Sequence, residues 1–222
     1  MAGLFSRLKE ACRPDWEAYV GHAFVRGLGD GSLPERCFRH YLVQDYLFLI
    51  QFARAYALSA YKSDTLGDMR RAAGAMGAIL DREMALHVEY CAGWGLDEAA
   101  MAATPEATAT LAYTRFVLER GMSGDLLDLN VALAPCVVGY AEIAAALQRD
   151  PRMRLDGNPY RAWIEAYSAD DYQAVARDKV ALLDDLAARR GGEARFTALT
   201  RDFSAACRLE AGFWQMGYDL SA

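Results

Sequence analysis

The sequence predicts an all-α protein, a compact bundle of about seven to eight helices. Three observations carry that expectation. Apolar residues recur three and four apart through the long segments, the period of one helix face. No stretch shows a convincing alternation of apolar and polar residues, the mark of a half-buried strand. Six prolines in 222 residues leave room for long uninterrupted helices, and 54% hydrophobic residues suffice for a large core.

Pro14 to Arg26 reads as the first long helix, with proline in its first turn and the glycine-rich stretch Gly27 to Gly31 closing it. Ser32-Leu33-Pro34-Glu35 reads as a capping box that opens a second helix running to about Lys62. The third runs from about Thr65 to Cys91 and ends at the Gly93-Trp94-Gly95 turn. Thr104-Pro105-Glu106 opens a fourth, to about Arg120. Ser123-Gly124-Asp125 opens a fifth, which ends near Asp150-Pro151. A short helix from Pro159 to about Tyr167 follows. Two long ones close the chain, from about Ala169 to Arg190 and from Glu193 to Tyr218, separated by Gly191-Gly192. No repeat, low-complexity tract or linker divides the chain, so one domain over residues 1–222 is expected.

The net charge of −6 argues against nucleic acid as a partner, since neutralising phosphates needs clustered lysine and arginine. It argues equally against an anionic membrane surface. No apolar run approaches the roughly 20 residues of a membrane span. Residues 1–13 are interrupted by Arg7, Lys9 and Glu10 and show no secretory signal. The five cysteines are odd in number, widely spaced and without a CxxC, which points to a reducing compartment, the cytoplasm, rather than to disulfides or a zinc site.

The informative feature is ionisable groups at the centre of apolar stripes. Phe38, Tyr41, Leu42, Asp45, Phe48, Leu49 and Phe52 share one helix face with Asp45 in its middle. A carboxylate there needs a ligand, or a capping or pairing role toward a neighbouring helix. Phe203, Ala206, Cys207, Glu210, Phe213, Trp214 and Gly217 repeat the pattern around Glu210, whose plain alternative is a structural ion pair. Pro135 inside the fifth helix frees the carbonyl of Val131, so a kink is expected beside Cys136. The other cysteines read as small buried hydrophobes. Glu83 and His87, four apart, suit either a structural pair or part of a metal site. The chain has only three histidines, and neither Glu83 nor Glu210 has one three residues on, which makes a metal-rich centre unfavourable. Tyr113, Tyr140, Tyr160 and Tyr167 lie on helices that can face a common cavity and form a flat slot for an aromatic ligand.

With these residues in view the sequence resembles the TenA family, the thiaminase II enzymes. The matching stretches are YLVQDYLFLIQFAR (41–54), EMALHVEY (83–90), APCVVGYAE (134–142), WIEAYSADDY (163–172) and LEAGFWQMGY (209–218). The resemblance implies a haem-oxygenase-like helical bundle that assembles as a homotetramer and uses no metal or organic cofactor. It implies hydrolysis of 4-amino-5-aminomethyl-2-methylpyrimidine to the hydroxymethyl compound in thiamin salvage, and in many members cleavage of thiamin. By the same resemblance Cys136 matches the nucleophile and Glu210 the acid/base. Asp45 matches the carboxylate that holds the pyrimidine, Tyr113, Tyr140 and Tyr167 match pocket tyrosines, and Phe213 matches a pocket aromatic. Phe48 departs from the pattern, standing where members often carry tyrosine. Tyr46 points elsewhere on the helix and is no obvious substitute for that hydroxyl.

Two other readings compete. One is a metal-dependent oxygenase on the same fold, drawing on Glu83, His87, Asp45 and Glu210. The other is a thiamin-related binding protein or regulator without turnover. A cofactor-free oxidase acting on pyrroloquinoline quinone precursors would want several inward arginines and histidines, which the inward faces lack.

Overall fold

The structure is a computed structural model that describes residues 2–153 and 155–222. Twelve α-helices and no strand occur among the described residues. In chain order they are α1 (Leu4–Ala11), α2 (Arg13–Val20), α3 (Ala23–Asp30) and α4 (Glu35–Tyr61). Next come α5 (Leu66–Ala78), a π-helical turn (Ile79–Glu83), α6 (Met84–Ala92), α7 (Glu98–Ala102) and α8 (Thr108–Ser123). The chain ends with α9 (Leu126–Arg149), α10 (Arg161–Ser168), α11 (Asp170–Arg189) and α12 (Phe196–Asp219). The long helices are those the apolar periodicity predicts. The further ones are the short α1 and α7, and the pieces into which two expected helices divide.

The expected first helix is two. Gly21 ends α2, and His22 starts α3 by accepting a hydrogen bond from Phe24 N at its ring Nδ1, 3.2 Å away. Histidine is not among the usual capping residues, so this break carries no ordinary signal. Other starts follow the expected chemistry. The Thr65 hydroxyl accepts from Asp68 N at 3.1 Å to open α5. At α9, Asp125 Oδ1 accepts from Leu127 N (2.9 Å), while Asp128 Oδ2 accepts from Asp125 N (2.7 Å), a reciprocal cap that satisfies donors otherwise orphaned.

The chain forms two compact units. One comprises residues up to Pro34 and Asn130–Gln215. The other comprises Glu35–Leu129 and Met216–Ala222. The core of the first is aromatic: Trp16 stacks on Phe203 (centroids 5.8 Å), Phe24 on Trp214 (5.0 Å), and Phe5 meets Trp16 edge-on (5.6 Å). In the second, α4 buries the stripe read from the sequence, Phe38, Tyr41, Leu42, Asp45, Phe48, Leu49 and Phe52, and also Val43, Gln44, Tyr46 and Leu47, so that its middle is enclosed on all sides.

No uninterrupted apolar run in α9 approaches roughly 20 residues, but over its most apolar 18-residue window the helix is long and apolar enough to cross a membrane. Of its most apolar window, 78% is buried inside the structure, so the apolar content serves as core.

Candidate active site

In the first unit the site residues gather on α9, α10 and α12. None of the five cysteines is in a disulfide; Cys12, Cys37, Cys91 and Cys207 are buried, and Cys136 alone is partly exposed. Helix α9 continues through Pro135. The turn holding Cys136 is held from α2, where the fully buried Tyr19 donates its hydroxyl hydrogen bond to the Pro135 carbonyl (3.3 Å). The Tyr19 ring also occupies the space of a side chain at 139: a Cβ on Gly139 would stand 2.3 Å from Tyr19 Cε1. Tyr140, one helical turn after Cys136, lies against Tyr167 (5.1 Å), Trp214 (5.2 Å) and Trp163 (5.7 Å). Glu210 is 1% exposed and Phe213 2%. Burial pushes the Cys207 thiol far up, and the charges of Cys12 and Glu210 add to the effect, so Cys207 stays protonated and inert.

In the second unit Asp45, Phe48 and Tyr113 come together with partners of their own. Asp45 is buried on α4. Its Oδ2 accepts from the Tyr41 hydroxyl (3.1 Å) and meets His87 Nε2 at 2.7 Å. The other ring nitrogen, Nδ1, lies 2.7 Å from the Glu83 carbonyl oxygen. Asp45 Oδ1 has no hydrogen-bond partner among the described residues. Desolvation opposes charge on His87, but the hydrogen bond and charge of Asp45 and the Glu83 carbonyl outweigh it and raise its pKa. Burial pushes the Glu83 carboxyl up to about 7, an effect that the charge of His87 opposes and that of Asp45 reinforces.

Phe48 packs on Phe52 (5.1 Å) and on Tyr113 (5.0 Å). Tyr113 is set there by Gln44, the buried neighbour of Asp45. Gln44 donates to the Pro105 carbonyl (2.9 Å) and accepts from Ala107 N (2.9 Å) and the Thr110 hydroxyl (2.7 Å), which ties the start of α8 to α4. Tyr46 donates its hydroxyl to Glu98 (3.0 Å), and burial with that bond pushes its pKa up to about 12. It is committed away from Phe48.

Both His87 ring nitrogens face protein oxygens at 2.7 Å, an arrangement that suits two N–H donors rather than a nitrogen presenting its lone pair to a metal. Among the described residues no group of three or more His, Cys, Asp or Glu side chains has the geometry to hold a metal ion.

The sequence model of the TENA/THI-4/PQQC family matches residues 9–220. This chain belongs to that family. An aminopyrimidine aminohydrolase of Halalkalibacterium halodurans is 36% identical over 96% of this chain and 94% of its own length. A TenA family transcription regulator from Silicibacter superposes with a TM-score of 0.90 at 46% identity, over 98% of this chain and 97% of that one. A Shewanella denitrificans domain with a heme oxygenase-like fold superposes with a TM-score of 0.72 at 14% identity, over 97% and 92% of the two chains. The TenA resemblance and the haem-oxygenase-like fold read from the sequence stand.

Several residues that pack beside these side chains, within one unit or the other, were not legible as such. Tyr41 sits four before Asp45 and was readable as its partner by helical spacing. Gln44, Trp163 and Tyr19 gave no signal beyond that of core residues. The position of His87 depends on a π-helical turn that no residue type announces.

Proposed function

We propose that this protein is a cysteine-dependent hydrolase of thiamin salvage that converts 4-amino-5-aminomethyl-2-methylpyrimidine and water to the hydroxymethylpyrimidine and ammonia, with thiamin as a second substrate. The observation that carries the reading is Asp45: a buried carboxylate with one oxygen doubly bonded by the protein and the other open, suited to the amino group of a flat heterocycle. The relative named aminopyrimidine aminohydrolase supports it. So does the partial exposure of Cys136, where the other four cysteines are buried.

In this reading the Cys136 thiolate adds to the electron-poor ring carbon beside a ring nitrogen. Glu210 delivers the proton that lets the exocyclic amine leave as ammonia. Water then adds to the exocyclic carbon, gives up a proton, and the ring expels the thiolate. Asp45 orients the ring, Tyr113, Tyr140, Tyr167 and Phe213 supply aromatic faces and hydroxyls, and Phe48 offers packing where a hydroxyl is common. No step requires a metal.

We further propose a homotetramer in the cytoplasm, with neither nucleic acid nor membrane as partner. Leu80 exposes apolar surface in a shallow cleft that it lines with Met84, Val88 and Ala92, which suits contact with another copy. The name of the Silicibacter relative favours a second reading, a pyrimidine-responsive regulator without turnover. One experiment separates the two. Metal-stripped protein is incubated with the aminomethylpyrimidine, and separately with thiamin, and hydroxymethylpyrimidine is followed by chromatography. Product that vanishes in Cys136→Ser supports the hydrolase; tight pyrimidine binding without product supports the regulator.

A further inference from the structure

His87 meets two acceptors. Nε2 faces a carboxylate oxygen of Asp45 and Nδ1 faces the Glu83 carbonyl oxygen, each at 2.7 Å. A neutral imidazole has one N–H and satisfies only one acceptor. Both contacts are made when the ring is an imidazolium and Asp45 a carboxylate, a buried ion pair closed at its other end by a backbone carbonyl. The Tyr41 hydroxyl donates to the same Asp45 oxygen from α4 itself. Two donors thus hold Asp45 Oδ2, one of them steadied from behind by the Glu83 carbonyl, and Oδ1 is left as the acceptor for a ligand.

How His87 reaches that place is visible in the spacing of the buried residues. Asp68, Ala72, Ile79, His87 and Cys91 are the buried positions from α5 to α6. The step from Ile79 to His87 is eight residues, where an α-helix at roughly 100° per residue would return to the same face after seven. Seven would bring Leu86 inward, yet Leu86 is 45% exposed. The π-helical turn Ile79–Glu83 absorbs the extra residue, its wider loop closed by a bond to the Ile79 carbonyl. The register of α6 is thereby set by His87.

We propose that His87, aimed by this π-helical turn, is a positioning residue that holds Asp45 as an oriented anion whose Oδ1 accepts the amino N–H of the pyrimidine. The inference rests on the aminopyrimidine reading and gives its site a preference for neutral or cationic amino-heterocycles over carbonyl-bearing ones, which would set oxygen against Oδ1.

The test has two arms. The first measures binding of 4-amino-5-hydroxymethyl-2-methylpyrimidine by calorimetry, and KM and kcat for the aminomethyl compound, in wild type, His87→Ala and His87→Gln. Loss of a hydrogen bond to a charged group predicts roughly a tenfold or greater rise in Kd and KM for the alanine variant, with kcat changed far less. Glutamine, which donates to Asp45 without a charge, should recover part of it. Wild-type affinity in a folded alanine variant, or full recovery in the glutamine variant, overturns the proposal. The second arm needs no His87 variant. The protein has three histidines, so ¹⁵N spectra of the imidazoles are assigned by removing His22 and His40 in turn. Two protonated ring nitrogens on His87 at pH 7 are expected, and a neutral ring overturns the proposal. Wild-type protein that neither binds nor converts the pyrimidine brings down the hydrolase reading, and this inference with it. Wild-type turnover with a neutral His87 brings down this inference alone.

Discussion

Asp45, Glu210 and Cys136 were legible because each breaks a rule. Two acids occupy the centres of apolar stripes and the cysteine follows a proline inside a helix, and the structure buries both acids while leaving Cys136 partly exposed. Cys136→Ser is expected to abolish turnover and keep pyrimidine binding, measured by chromatography and calorimetry; retained turnover removes Cys136 as nucleophile. Asp45→Asn should weaken pyrimidine binding about tenfold or more, since it trades a charged acceptor for a neutral amide. Phe48→Tyr is expected to raise the rate on aminopyrimidine, and an unchanged rate would mean that the site compensates. That variant places its hydroxyl near Phe52 and Tyr113, so turnover is compared beside thermal stability to separate chemistry from packing. The role of His87 was not legible. As one of two residues four apart it suggested contact between side chains, and the structure instead joins its ring to the Glu83 backbone.

At the scale of elements, apolar periodicity located every long helix to within a few residues, because a face that packs must repeat. It failed at the join of α2 and α3 and at the π-helical turn, where the backbone departs from the α-helix without losing the apolar face. Gly139→Ala puts a methyl group into the space of the fully buried Tyr19 ring and should lower stability by about 1–3 kcal/mol, read from denaturant unfolding. An unchanged midpoint would show that Tyr19 yields. Deletion of the exposed Arg82 should be tolerated, with pyrimidine binding kept. It reduces the Ile79–His87 step to seven, so the turn becomes ordinary α-helix with His87 on the same face. Loss of the fold on this deletion would contradict the one-residue account of the turn.

Across the whole molecule the all-helical class and the family were readable, since composition, period and five scattered stretches all agree. The division into two compact units was not, because it falls within α9 and α12, where no linker marks it. Global stability should carry a trace of Glu83. Its carboxyl is raised to about 7 in the folded protein, so it favours folding below the ordinary carboxylate range, and that contribution is lost as pH rises toward and through 7. Glu83→Gln should therefore unfold at the same temperature as wild type near pH 4 and be more stable at pH 8, by about 2 kcal/mol once partial exposure is allowed for. A constant difference between the two pH values would place the effect in packing.

The contrast between one partly exposed cysteine and four buried ones turns the chain into its own counting device. Under native conditions a maleimide should add once per polypeptide, at Cys136, and five times after denaturation. The mass spectrum then reports the fraction of competent sites in any preparation. A bound pyrimidine that covers the thiol would slow the single native addition, which makes alkylation rate a binding assay for candidate substrates whether or not they are turned over.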